Sequence, residues 1–207
     1  MSEATTLRVL SGLPAEPAPL SESTLIVIDA QNTYTQGVME LEGVAAALDE
    51  TAALLDRARS AGIPIIHIQH DAGEGSPYDV RAEIGAIVDQ VSPRGDEPVI
   101  VKNFPNAFVQ TDLDSRLREA GATPNLVLAG FMTHMCVNST ARGAFSLGYA
   151  PTVVAAATAT RALPGADGGE QVSASALQSA SLAAIADMFG IVVPDTKSIP
   201  DSREVVR

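Results

Sequence analysis

Short apolar runs rich in β-branched side chains recur along this chain and alternate with stretches whose apolar residues fall at helical spacing. TLIVID (24–29) reads as a strand, and VAAALDETAALLDRARSAG (44–62) reads as a helix with Gly62 as its C-terminal stop. The cycle repeats with IPIIHIQH (63–70), a polar Gly/Pro loop and a short helical stretch near 82–90. PVIVK (98–102) and TDLDSRLREAG (111–121) follow, with Thr111 or Asp112 placed to cap. NLVLAG (125–130) precedes a small-residue helix that starts around Cys136. APTVVAAATAT (150–160), SASALQSASLAAIADMFG (173–190) and IVVP (191–194) complete the pattern as strand, helix and strand. Strands that are apolar on both faces and separated by helices need crossover connections. That combination predicts an α/β fold: a three-layer αβα arrangement with a six-stranded, mainly parallel sheet, Rossmann-like in kind.

A chain of 207 residues, 46% of them apolar, suffices for one such domain. Residues 1–22, with Pro14, Pro17 and Pro19, read as an irregular N-terminal arm, and residues 23–207 as the domain. No G-x-G-x-x-G follows the first strand and no G-x-x-x-x-G-K-[ST] occurs, which removes the sequence argument for a dinucleotide or P-loop nucleotide. A formal net charge of −12 opposes a broad surface for nucleic acid or anionic membrane, since both need clustered Lys and Arg. The expected partner is a small-molecule substrate, with no nucleic acid and no membrane. No run approaches the roughly 18 apolar residues of a membrane span, and the opening residues lack a basic start followed by an apolar core, so a cytoplasmic location is expected.

Open parallel sheets bind ligands beyond the carboxyl ends of their strands. Three such ends carry residues that folding does not require: Asp29 ends the first strand, Lys102 ends the third, and Cys136 lies just past the fourth. Cys136 is the sole cysteine, which excludes an internal disulfide and a zinc site with cysteine partners, leaving an inert buried thiol or a nucleophile. A free thiol, with a pKa of about 8.5, is mostly protonated at neutral pH, so a nucleophile needs a base or an electropositive setting. Both are on offer. The first turn of a helix presents unpaired N–H groups that favour a thiolate and can hold an oxyanion. Asp29 suits proton transfer, and Lys102 suits stabilising the carboxylate or the attack geometry. The plainer alternatives are a small buried hydrophobe, a turn-capping Asp and a solvated Lys.

Three blocks, LIVIDAQNTY, VIVKNFPNAF and VLAGFMTHMCVNSTARGAFSLGY, resemble in order the signatures of the isochorismatase-like cysteine hydrolase superfamily. That superfamily includes nicotinamidases, N-carbamoylsarcosine amidases, ureidoacrylate amidohydrolases and streptothricin hydrolases. The resemblance runs from about Thr24 to Val193 and implies the isochorismatase-like hydrolase fold. It also implies an Asp29–Lys102–Cys136 catalytic triad, a cis peptide between Phe131 and Met132, and an oxyanion hole from the backbone N–H groups of Met132 and Cys136. No cofactor is implied, and a homo-oligomer, dimer or tetramer, is. Nicotinamidases carry an Asp and His metal cluster after the first strand. Here AQNTYTQGVMELEG has neither residue type, and His67 and His70, followed by Asp71, stand at i, i+3 on a strand and so face opposite sides; no metal is expected.

Candidate substrate contacts are Gln31, Tyr34, Phe104, Phe108, Thr133 and His134, all close in sequence to the triad. Gln31 either orients the Asp29 carboxylate or pairs with backbone. Tyr34 either faces substrate or sits half-buried in the core. His134 borders the nucleophile or meets a neighbouring subunit, and the Gly/Pro-rich segment 70–79 is a lid or an ordinary surface loop. The expected activity is that of a cysteine hydrolase cleaving a C–N amide, lactam or ureido bond through a thioester. Two alternatives are isochorismatase-type vinyl-ether hydrolysis and a catalytically silent binding or assembly protein.

Overall fold

The computed structural model describes residues 4–119, 121 and 123–202. Residues 1–3 of the expected arm, 203–207 of the expected domain, and 120 in the expected third helix lie outside the described residues. A one-turn helix α1 (Leu7–Leu10) precedes β1 (Thr24–Ile28), which is buried at every position, as a central parallel strand must be. Helix α2 (Val44–Ala61) follows and stops at Gly62, whose φ of +65° lets its N–H return to the carbonyls of Ala58 and Arg59. Then come β2 (Ile65–His70), β3 (Val99–Lys102), α3 (Leu113–Glu119) and β4 (Asn125–Phe131). A π-helical turn (Thr133–Val137) runs into α4 (Asn138–Ser146). The chain continues through β5 (Ala150–Ala159), α5 (Ala174–Ala186), capped by Ser173 on the Ala176 N–H, and β6 (Ile191–Val193).

All five strand pairings are parallel and the sheet order is β3-β2-β1-β4-β5-β6. Period-two alternation splits the strand side chains between two cores. Leu25, Val27 and Ile65 pack with Leu48, Leu54, Leu55 and Ala58 of α2. Ile26, Ile28, Ile66, Ile68 and Ile100 pack on the other face with Leu113 and Leu117 of α3, Ala141 and Ala144 of α4, and Ile185 of α5. Helices therefore cover both faces. The segment before β1 lies against its own chain: Leu20 is fully buried in the α2-side core, and Arg8 bonds the carbonyls of Pro14 and Met188.

The expected helical stretch at 82–90 is instead two separate 3-10 turns, Glu83–Gly85 and Asp89–Val91. Its backbone is captured from outside. Asn32 Nδ2, Thr33 Oγ1 and Gln31 Nε2 donate to the carbonyls of Glu83, Ile84 and Gly85, and the Asn32 N–H takes that of Ala86. Those carbonyls are the acceptors an α-helix would need, so tertiary hydrogen bonds override the local pattern.

Gly130 permits the close approach of β4 to β1. Its φ is +114°, and a Cβ there would meet the Ile28 carbonyl oxygen at 2.0 Å; the β4–β5 register also shifts between Leu128 and Gly130. Gly130→Ala is expected to lower stability by about 3 kcal/mol or more, the scale of a severe steric substitution in a core. Urea unfolding monitored by circular dichroism measures this, and a loss under about 1 kcal/mol would show that the strands part more easily than this geometry indicates.

Candidate active site

The strand order reverses between β1 and β4, the place where open parallel sheets bind ligands, and Asp29 and Cys136 follow those two strands. Alternation along β1 would send the residue after Ile28 to the α2 face with Val27. Asp29 escapes that pattern through a left-handed backbone, φ +50°, unusual for a side chain with a Cβ. Lys102 ends β3 on the face of Ile100, two strands away from β1. Strands lie about 4.8 Å apart, so a group on β3 must reach roughly 10 Å to meet one on β1, which demands a long side chain. Lys102 Nζ crosses the end of β2 and lies 2.7 Å from Asp29 Oδ2, with both side chains sealed from solvent.

The ammonium has three hydrogens and three neighbours. Besides Asp29 it contacts His70 Nδ1 at 3.0 Å and Cys136 Sγ at 3.4 Å. His70 is the partner of Lys102 in the β2–β3 register, which sets its ring beside the crossing chain. Burial first, and the Lys102 charge second, lower the His70 pKa to about 4, so the ring is neutral at pH 7 and its Nδ1 accepts from the ammonium. His70 thus holds the lysine; sequence reasoning weighed it only as a metal ligand. His67 points the other way, 3.0 Å from Glu97, which also pairs with Arg59. Asp71 receives the Gly73 N–H and lies near Arg81.

Cys136 is 5% exposed and sits in the π turn rather than in an α-helical first turn. The turn is anchored by Thr133 Oγ1 donating to the Ala159 carbonyl, and the preceding Phe131–Met132 peptide is cis. Burial pushes the thiol up to about 12, Asp29 adds to the rise, and Lys102 offsets part of it. Desolvation therefore acts against the thiolate that the helix start was expected to favour. Asp29 is likewise raised, by burial against the opposing pull of Lys102, and it interacts with the thiol. Lys102 and the Cys136 thiol are the two side chains that act on the Asp29 carboxyl, each pulling its pKa down against the larger effect of burial. The site therefore gathers a thiol, a carboxyl group and a cation in one buried cluster.

The other expected residues divide. Tyr34 is 1% exposed and meets Phe131 and Tyr78 edge-on at centroid distances of 5.7 and 5.8 Å, while Tyr78 meets His70 at 5.0 Å. Tyr78 was not singled out from sequence, because nothing local marks which loop residue folds back onto β1. Gln31 is fully buried with its amide spent on backbone, donating to the carbonyls of His70 and Gly85 and accepting from the His70 N–H. It clips β1 to β2. Phe108 stacks on Tyr149, which precedes β5 at the amino end of the sheet, so it belongs to the core side and not to the crevice. Phe104 stays exposed two residues past Lys102, and His134 is half-buried with its Nδ1 bonded to the Thr160 hydroxyl. The 70–79 segment is fastened by Thr33 Oγ1 on the Pro77 carbonyl and by Asp79 on the Gly75 N–H. A cleft of about 650 Å³ bounded by Ile63, Pro64 and Pro98 opens at the opposite, amino end of β2 and β3 and holds no nucleophile.

A doubly wound parallel sheet with a thiol, a carboxylate and an ammonium at its switch point defines a three-layer α/β enzyme. The isochorismatase domain model matches residues 23–196. An isochorismatase from Pseudomonas putida KT2440, known as a crystal structure, superposes with a TM-score of 0.90 at 39% identity over 95% of this chain and 100% of that one. The secreted isochorismatase effector Isc1 of Verticillium dahliae is 33% identical over 90% of this chain and 95% of its own length. The ureidoacrylate amidohydrolase RutB of Stutzerimonas stutzeri is 34% identical over 70% of this chain and 75% of its own. The chain belongs to the isochorismatase family and is a hydrolase of that family. No helix among the described residues is long and apolar enough to cross a membrane.

Removing one member of a buried ion pair strands the other, at a cost of about 3–5 kcal/mol. Lys102→Met should destabilise the protein on that scale near pH 8. The loss of Lys102 removes the charge that opposes the rise in the Asp29 pKa, so the folded variant holds the Asp29 proton to higher pH than the unfolded chain does. Stability of the variant then falls as pH rises above the ordinary carboxylate range, and the deficit should narrow toward pH 5. Urea unfolding at both pH values tests this; an equal deficit at each would place the cost elsewhere.

Proposed function

We propose that the protein hydrolyses a C–N amide, lactam or ureido bond of a small molecule through a thioester on Cys136. The observation that carries this reading is the contact of one ammonium with both the Asp29 carboxylate and the Cys136 sulfur, inside a site closed to water. Burial raises the Cys136 thiol above its ordinary range and raises Asp29 as well, so the thiol has a proton acceptor of increased basicity beside it. Asp29 takes that proton as Sγ attacks the carbonyl carbon. Lys102 keeps the carboxylate and sulfur in register, and the backbone N–H groups of Met132 and Cys136 are assigned to the oxyanion, at about 3 kcal/mol per donor. Asp29 returns its proton to the departing nitrogen as the C–N bond breaks. It then takes a proton from the water that attacks the thioester, and the released sulfur regains it as the acid leaves. The name of the ureidoacrylate amidohydrolase relative supports this class of bond.

A second reading has a specific basis. A carboxyl group with a raised pKa also suits a general acid, and Isc1 is named as an isochorismatase. In vinyl-ether hydrolysis Asp29 would protonate the substrate, and Cys136 would be dispensable.

Under the amide reading, Cys136→Ala should lower kcat by at least about a thousandfold on any small amide that the wild type turns over, because the covalent path is lost. Ammonia or amine release across a panel of amides and ureido acids identifies that substrate. Acid-quenched mass spectrometry should then show an acyl adduct on the peptide containing Cys136. Retained pyruvate release from isochorismate by Cys136→Ser, with no adduct on any amide, would move the assignment to ether cleavage.

A further inference from the structure

Under the segment that precedes β1, a cavity of about 520 Å³ lies at the amino ends of β4, β5 and β6. This is the edge of the sheet opposite to Asp29, Lys102 and Cys136. Leu13, Pro14 and Pro17 of the segment form one wall, and Phe145, Tyr149 and Ile191 form the other. Tyr149 is fixed before anything binds, because its ring stacks on Phe108 and its hydroxyl donates to Asp114. Apolar walls with a few placed polar groups, enclosing a space of this size, are what small-molecule pockets share.

Two buried polar side chains that line this cavity lack partners. Arg8 is 9% exposed and makes no ion pair among the described residues. Its Nε and Nη1 donate to the carbonyls of Pro14 and Met188, which fastens the segment and leaves Nη2 with no hydrogen bond among the described residues. Asp187 lies beside it, with its backbone carbonyl on the Arg8 N–H, yet the Asp187 carboxylate takes the Leu7 N–H instead. Glu16 also lines the cavity, but it is exposed and does not pair with Arg8. Thr152 is 4% exposed, and its hydroxyl likewise makes no hydrogen bond among the described residues. Carboxylates are plentiful in a chain with 25 acidic and 13 basic residues, so a buried guanidinium without one reflects placement and not composition. Burying a cation with no anion against it is costly, and a carboxylate is the partner that a guanidinium binds best.

We propose that this cavity is a second ligand site, which takes a small carboxylic acid with a flat apolar body. The carboxylate sits on Arg8 Nη2, and the body lies between Tyr149 and the proline wall. The Thr152 hydroxyl accepts or donates, so it tolerates either kind of polar substituent. Seven residues of β4, about 20 Å at about 3.3 Å per residue, separate this edge from the reacting groups, so the ligand binds without touching Cys136. The site therefore stands or falls apart from the hydrolytic reaction.

2-Naphthoate and 2-naphthamide share one ring system and differ in carboxylate against carboxamide, so calorimetric titration of each into the full chain tests the site. Naphthoate should bind once per chain, at least tenfold more tightly than naphthamide. Hydrogen exchange read by mass spectrometry locates it without any variant. Naphthoate should slow exchange in the peptides covering residues 13–19 and 145–152 and leave the peptide holding Cys136 unchanged. In Arg8→Gln the naphthoate affinity should fall at least tenfold while that for naphthamide changes by less than twofold. Where Arg8→Gln does not fold, the acid-to-amide comparison and the exchange map decide. No binding at millimolar naphthoate, equal affinity for acid and amide, protection confined to the Cys136 peptide, or a folded Arg8→Gln that binds naphthoate as the wild type does would each overturn the proposal.

Discussion

A carboxylate and an ammonium with no exposure to water, 2.7 Å apart at the carboxyl edge of the sheet, form the interaction on which the rest of this site depends. Taking either ion out of water alone costs several kcal/mol, and the attraction between them offsets this only while their geometry is held. The fold holds it from both ends. Asp29 is fixed by a left-handed turn at the tip of a strand buried on both faces, and Lys102 is fixed by His70, whose own ring stays neutral because it is buried beside that ammonium. Burial keeps Asp29 more basic than an ordinary carboxylate even with Lys102 against it.

The thiol completes the arrangement through shape more than through charge. Gly130 lets β4 run close against β1, the register shift beside it redirects the strand end, and the π turn brings Sγ to the third hydrogen of the lysine. The resulting sulfur is nearly dry, and that burial raises its pKa while Lys102 offsets part of the rise. Around this centre the chain spends side chains on positioning: Gln31 joins the ends of β1 and β2, Thr133 fastens the π turn to β5, and Tyr34 packs against Phe131.

The parts of the site that were legible before folding share one property: each follows from where a strand ends. Period-two apolar runs locate strand ends, parallel topology collects them at one edge, and an Asp, a Lys and a Cys at those ends have no structural task that a smaller or apolar residue could not perform. Residues whose roles depend on distant partners were misread or missed. The 82–90 segment has helical composition, yet its carbonyls are claimed by side chains some fifty residues earlier in the chain. Phe108 sits near Lys102 in sequence but turns toward Tyr149 at the other end of the sheet. Tyr78 carries no local motif, and only the folding back of its loop sets it against Tyr34 and His70.

The sequence by itself determined the parallel α/β architecture, the single cysteine and the sheet edge at which Asp29, Lys102 and Cys136 gather, because apolar periodicity and residue type are properties of short segments read in order. Tertiary structure decided which face Asp29 presents, that burial raises the thiol pKa, and that His70 serves the lysine. Each of these is set by desolvation and by contacts between segments far apart along the chain. The free energy of burying a charge depends on everything that surrounds it, and no local pattern records those surroundings.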